Sequence, residues 1–253
     1  MKKIMRLLIF VMLTGCGSST NIMNIKQNFN IESELIDYLL IYGNMNEIDA
    51  NKLIFLLENN QKKIPLKDYY YYKVMINTIL GKNSNVDLLT NSDKLGNMYA
   101  GEYIYDFYFK DDFKKRVKYL ESSATKGNSS AQFILGIIYY YGRTNFKINK
   151  DKGLILLEKS AMQGLSSAIQ TLGELKFKKN LKKDKYDFWN IIYIIYEKEI
   201  NLDVNKWFKE INNKPQFCDR LKQFVYNNEI KRNIYRDRKF NYSLQLLSKC
   251  LRV

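Results

Sequence analysis

Between Lys118 and Lys179 apolar residues recur at steps of three and four, and the whole pattern is written twice. Tyr119, Leu120 and Ala124, then Ala131, Leu135, Ile138 and Tyr139, are spaced as the buried stripes of two amphipathic helices. Ala124, Gly127, Ala131, Leu135 and Gly136 each have a counterpart 37 residues on, in Ala161, Gly164, Ala168, Leu172 and Gly173. A fixed period of about 20 to 50 residues marks a stacked repeat. Gly127 and Gly164 fall where a periodic run ends, the place where a left-handed glycine closes a helix. Ala131, Ala168, Gly136 and Gly173 lie inside helices, where a minimal side chain lets a neighbouring backbone come close. Gly142, after Tyr139-Tyr140-Tyr141, ends the first unit, and Asn149-Lys150-Asp151 opens the next. Such a hairpin cannot bury its own apolar face, so it must stack on a neighbour. The expected fold is all-α: an α-solenoid of stacked helical hairpins with flanking helices.

At these residues the chain resembles the Sel1-like repeat family, a relative of the tetratricopeptide repeats. The family pattern is Ala-x-x-Gly-x-x-x-Ala-x-x-x-Leu-Gly-x-x-Tyr-x-x-Gly, followed by a lysine-rich loop. Ala124, Gly127, Ala131, Leu135, Gly136, Tyr139 and Gly142 all match it. Asp151 follows, and Gly153 or Leu154 stands where the family usually has alanine. Upstream, Leu95-Gly96-Asn97-Met98-Tyr99 reads as a degenerate copy 40 residues before Leu135-Gly136. The resemblance implies a curved array that binds another protein and carries no chemistry of its own.

The flanks continue the helical period. Residues 31–58 read as two helices: Glu32, Leu35, Ile36, Leu39 and Leu40 up to a stop at Tyr42-Gly43-Asn44, then Ile48, Leu53, Phe55, Leu56 and Leu57. Pro65 breaks the chain before Leu66 to Leu80, where Tyr69-Tyr70-Tyr71-Tyr72 should point all round a helix, so that some rings face solvent or a partner, and the plainest role for the run is core and interface padding. Gly81 to Asn85 is a loop. After the repeats, Lys178 to Lys183 is a basic turn and Trp189 to Tyr196 a buried capping helix. Trp207, Phe208, Phe217, Leu221, Phe224 and Val225 carry the period on, and the tail from Lys231 fits a last amphipathic helix. The division expected is 1–15 leader, 16–30 tether, 31–90 N-terminal helices, 91–180 repeats and 181–253 capping helices.

Charge changes the picture at the start of the chain. Lys2, Lys3 and Arg6 precede a short apolar run, Leu7 to Leu13, too short to span a bilayer, which reads as a secretory signal peptide. Leu13-Thr14-Gly15-Cys16 matches the bacterial lipoprotein processing box residue for residue. The resemblance implies cleavage before Cys16 and acylation of its sulfur, palmitate included, which anchors the chain to a membrane. Cleavage removes three cations and lowers the formal charge from +15 to +12. Gly17 after the lipid cysteine resembles lipoproteins sent to the outer membrane. The expected location is therefore the bacterial cell envelope, facing the periplasm.

With Cys16 acylated, Cys218 and Cys250 remain, and an oxidising compartment permits a disulfide between them. Two free buried thiols fit the sequence equally. The chain contains no histidine, which removes Ser-His-Asp and Cys-His catalysis and nearly all catalytic zinc sites. It holds no phosphate-cradling glycine loop, nucleophile elbow or Cys-x-x-Cys. Asp111-Asp112, beside Lys114-Lys115-Arg116, fits a helix start and a solvated face better than a catalytic pair. No enzyme, metal or cofactor is expected, and the carboxylate-only alternative would be a glycosidase.

A basic chain usually points to nucleic acid, but an exported, anchored one meets little of it. Anionic headgroups and acidic protein faces stay open as counterparts, as does a charge that only reflects base composition. The expected function is binding to a protein partner. One kind of lipoprotein with this repeat is the periplasmic immunity protein that blocks a type VI secretion phospholipase effector, so the partner implied is such a toxin. The alternatives are an envelope scaffold or adaptor and a glycan- or headgroup-binding module.

Overall fold

In a computed structural model, residues 47–83, 85–143, 146–179, 188–197, 203–211, 213–232 and 245–251 are described. The leader, Cys16, the tether, the first N-terminal helix and residues 180–183 of the expected basic turn lie outside them, while Lys178 and Lys179 are still helical. Every regular element among the described residues is helical. The chain divides into two compact units, Met1–Asn97 and Met98–Val253.

The first unit holds α1 (Glu47–Asn59), a 3-10 turn at Gln61–Lys63, α2 (Leu66–Ile79) and α3 (Val86–Lys94). Pro65 occupies the N-cap of α2, where its missing N–H costs nothing. Asn85 caps α3 through the Asp87 N–H at 2.8 Å. The tyrosine run belongs to the core: Tyr69, Tyr71 and Tyr72 are buried and Tyr70 is half-buried. The reason is that α2 packs against both α1 and α3, so two of its faces are covered. Phe55 stands off the Leu53 and Leu57 stripe and is 56% exposed.

The second unit runs α4 (Ala100–Phe107), α5 (Phe113–Thr125), α6 (Ser129–Tyr141), α7 (Lys150–Met162), α8 (Ser166–Lys179), α9 (Phe188–Glu197), α10 (Val204–Glu210) and α11 (Lys214–Arg232), with residues 245–250 also helical. From α4 to α9 each helix packs on the next in sequence, which is the contact pattern of stacked hairpins. Helix α11 returns against α7 and α9. Asp112, Asn128, Asn149 and Asp203 cap α5, α6, α7 and α10 with side-chain oxygens. Val117, Leu120, Ala124, Ala131, Leu135 and Ile138 form one core between α5 and α6. A second begins at Leu157 and Ala161 and continues through Trp189, Ile192, Leu221 and Phe224 to Leu246. No helix among the described residues is long and apolar enough to cross a membrane.

The hairpin turns reveal a third copy of the repeat, in a different register from the one expected. Ser92, Ser123 and Ser160 stand four residues before Gly96, Gly127 and Gly164. All three glycines are left-handed, with φ of +97°, +99° and +81°. In each copy the glycine N–H donates three residues back and the next N–H donates to the serine carbonyl, closing a Schellman turn. The serine hydroxyls leave their helices and donate to carbonyls near the start of an earlier helix. Ser92 reaches the Lys67 oxygen at 2.5 Å, Ser160 the Ser129 oxygen at 2.7 Å, and Ser123 the Met98 oxygen. The upstream copy therefore aligns on Ser92 and Gly96, 31 residues before Ser123 and Gly127, and Leu95-Gly96 is not the counterpart of Leu135-Gly136. Leu95 is exposed at the end of α3 while Leu135 is buried in α6. The shorter spacing follows from a shorter first helix: α4 has 8 residues where its counterpart α6 has 13, and the helices that follow them, α5 and α7, have 13 each.

Glycines set the spacing of the stack. A Cβ on Gly153 would lie 2.8 Å from both Cβ and N of Tyr140 and 2.9 Å from the Gly136 oxygen. Helices α6 and α7 thus touch backbone to backbone where Gly136 faces Gly153. One repeat later Gly173 meets Tyr193 of α9, whose Cβ and Cγ would be 2.5 and 2.3 Å from an added Cβ. The absent side chains are what let successive helices approach.

Candidate interaction surface

The matched residues of the repeat divide into two groups. Ala124, Ala131, Leu135, Gly136, Ala161, Ala168, Leu172 and Gly173 are buried and pack the stack, while Gly127, Gly142 and Gly164 form turns. Tyr139 alone reaches the surface with a hydroxyl that is put to use. It donates to Glu121 Oε1 at 2.6 Å and accepts from Lys152 Nζ at 2.6 Å, so one phenol joins α5, α6 and α7. Burial, then the Glu121 hydrogen bond, raises its pKa against the opposing pull of Lys152. The Lys152 ammonium also lies over the Tyr139 ring, 3.9 Å from its centroid.

From Tyr139 a ridge of half-buried rings runs across the unit. Phe146 meets Tyr139 edge to face at 6.3 Å, Phe113 meets Phe146 at 5.7 Å, and Tyr105 meets Phe113 at 6.4 Å. These separations suit the attraction between ring edges and faces. Cations sit on the ridge in fixed places. The Arg116 guanidinium lies 4.6 Å from the Tyr105 centroid while its Nε donates to the Tyr105 carbonyl at 2.6 Å. Burial, and after it the Asp106 charge, raises the Tyr105 pKa against the charges of Arg116 and Arg143. Next to it, burial and then the Glu102 charge raise the Asp106 pKa, against Arg116.

The loop from α4 to α5 carries a strained residue beside the ridge. Phe109 adopts φ of +52°, a region that non-glycine residues rarely enter. Its ring stacks on Tyr119 at 5.9 Å with 7° between planes, and Lys115 Nζ lies 3.6 Å from its centroid. Phe107 in the same stretch is 58% exposed and contacts Tyr103 at 4.6 Å. Sequence periodicity overlooks this surface because its rings sit at the rim of the core and come from helices and loops far apart in sequence: Tyr105, Phe113, Tyr139 and Phe146 are half-buried and pack against the core of α5 and α6 with part of each left outside. The available signal is the density of rings and cations from Tyr103 to Arg116.

Other expected residues lie elsewhere. Cys218 of α11 and Cys250 are bonded, with Cα atoms 5.4 Å apart, which fastens the last helical residues to α11. Asp112 is the cap of α5, accepting from the Lys115 N–H at 2.9 Å. Glu158, Arg220 and Trp189 meet at the other end of the unit. Arg220 pairs with Glu158 at 3.8 Å and lies over the Phe188 and Trp189 rings, and the indole donates to Glu158 at 3.3 Å. Among the described residues no group of acidic, cysteine or histidine side chains could hold a metal ion.

The repeat consists of paired helices, a left-handed glycine at each turn, and small residues where helices cross. The fold is Sel1-like. Solved structures that the chain resembles include a protective antigen of uropathogenic Escherichia coli strains, described as an SLR fold, at 20% identity and a TM-score of 0.41. That match covers 89% of this chain and 49% of the antigen, so the chain spans about half its length. A Sel1 repeat protein from Oxalobacter formigenes matches at 13% identity and a TM-score of 0.36, covering 87% of this chain and 99% of its own. No protein-family model and no curated protein matches the chain.

Proposed function

We propose that this chain is a protein-binding repeat protein held at a bacterial membrane by acylated Cys16. The observation that carries the binding function is the ridge from Tyr105 to Tyr139, a run of half-buried rings set with positioned cations on the outside of a stack of hairpins. Rings and cations of this kind are enriched where proteins meet, because they bring contact area with little conformational freedom to lose. Glycines and serines of the repeat hold the stack together, which leaves the outer faces available for a partner.

The finer reading is that of a periplasmic immunity protein that neutralises a type VI secretion phospholipase effector by binding it. The lipoprotein box at Leu13 to Cys16 supports it, since a tether would hold the inhibitor on the membrane that such a toxin attacks. The test is co-expression with a toxin encoded beside the gene and directed to the periplasm. Cells should survive with the intact chain and lyse with Cys16→Ala, which should also lose labelling by an alkyne-tagged fatty acid. Lysis with the intact chain demonstrably present refutes the immunity reading, and acyl label retained on Cys16→Ala refutes the anchor.

A further inference from the structure

Charge is distributed very unevenly along this chain. Residues 98–253 hold 30 Lys and Arg against 17 Asp and Glu, so they carry +13 of the total of +15. Residues 1–97 hold 11 against 9. Of that +13, residues 98–152, which contain the whole aromatic ridge, supply +4 (10 cations against 6 acids), and residues 153–253 supply the rest. On the ridge Arg116 and Lys152 lie over rings and the Arg143 charge acts on Tyr105, and none of the three is within ion-pair distance of a carboxylate among the described residues. Arg116 and Lys152 differ from freely rotating surface lysines. Arg116 is held by its bond to the Tyr105 carbonyl as well as by the ring, and Lys152 by the Tyr139 hydroxyl as well as by its ring. Ordering a long side chain is a cost that binding usually bears, and here folding has already met it.

We propose that this ridge docks an acidic segment of a partner protein, with carboxylates set against Arg116, Arg143 and Lys152 and an apolar side chain resting on Phe113 and Phe146 between them. The assignment rests on the protein-binding reading above and adds the face and the chemistry of the partner. Two features favour a protein over a membrane surface. Arg116 and Lys152 are fixed in position, which favours a counterpart whose anions are also fixed, whereas fluid headgroups need no such match. Acids are interleaved with the cations: Asp106 and Glu102 near Tyr105, Glu121 at Tyr139. A uniformly anionic bilayer would be repelled by these groups, while a folded or extended peptide can place its own charges around them.

The test uses the purified full chain and fluorescence anisotropy with a labelled peptide of repeating Glu-Glu-Phe-Leu. The intact protein should bind it, and the triple variant R116Q/R143Q/K152Q should bind about tenfold more weakly, as expected for three partly exposed contacts. A control triple, K206Q/K209Q/K222Q, removes the same charge from exposed lysines on α10 and α11 and should bind within about twofold of the intact chain. R116K keeps the charge but loses the Nε bond to the Tyr105 carbonyl, so it should recover only part of the affinity that R116Q loses, and circular dichroism checks that every variant is folded. Equal weakening by both triples overturns the proposal, because only net charge would then matter. Failure of the intact chain to bind the peptide overturns it too, as does stronger binding through the same three cations to vesicles of phosphatidylcholine with phosphatidylglycerol. If the ridge triple still protects cells in the co-expression assay, the ridge assignment falls and the immunity reading stands; if the intact chain binds the peptide yet fails to protect, the reverse holds.

Discussion

Gly153→Ala separates the close-packed stack from an ordinary helix pair by the sign of its effect. In an isolated helix interior alanine is favoured over glycine by about 1 kcal/mol. Here the added Cβ meets Tyr140 N and Cβ at 2.8 Å and the Gly136 oxygen at 2.9 Å. None of these atoms is the movable end of a side chain, so relief requires α6 and α7 to separate by about half an ångström along their contact. Overpacking of this kind costs about 1–3 kcal/mol. Contact with backbone atoms places the cost in the upper part of that range, so after the helix gain the variant should be less stable by about 1–2 kcal/mol. For a unit of this size the melting temperature should fall by about 2–8 °C. Thermal unfolding followed by circular dichroism at 222 nm, a wavelength chosen for helix content, measures it directly. A melting temperature equal to or above that of the parent would refute the backbone contact, because the helix preference alone predicts a gain.

Ser123→Ala and Ser160→Ala each remove a buried hydroxyl that donates to a carbonyl 25 or 31 residues away, and each should cost about 1–2 kcal/mol in urea unfolding; no loss in either would remove the interhelical role. Reducing the Cys218–Cys250 bond, which closes a separation of 32 residues, should lower stability by about 3–4 kcal/mol in the chain-entropy account. An unchanged denaturation midpoint with dithiothreitol would contradict that. Asp106 gives a pH signature. Its carboxyl is held above the ordinary range by burial first and Glu102 second, so its contribution to stability is present in acid and lost as pH rises through the raised value. Asp106→Asn should therefore melt higher than the parent at neutral pH and show no such gain near pH 3, a value below the ordinary carboxylate range. A gain that is equal at both values would refute the assigned cause.

The 37-residue spacing, the glycines at the turns and the polar caps before each helix are local signals, and local chemistry suffices to read them. A left-handed glycine or an asparagine cap satisfies groups within a few residues of itself, so the sequence alone determined the hairpins. It did not determine how hairpins engage one another. Ser92, Ser123 and Ser160 stand in plain alignment, but their acceptors lie a whole helix away, and only the tertiary structure shows that serine joins neighbouring helices. Gly153 is one more glycine until Gly136 is seen opposite it. The tyrosine run of α2 is amphiphilic in sequence and became buried because two helices cover it. The aromatic ridge was hidden for the same reason: Tyr105, Phe113, Phe146 and Tyr139 are up to 41 residues apart, and their rings meet only because stacking brings loop and helix ends together. Hydrogen-bond caps act over one turn and are encoded where they act, whereas a surface belongs to the packing of the whole unit.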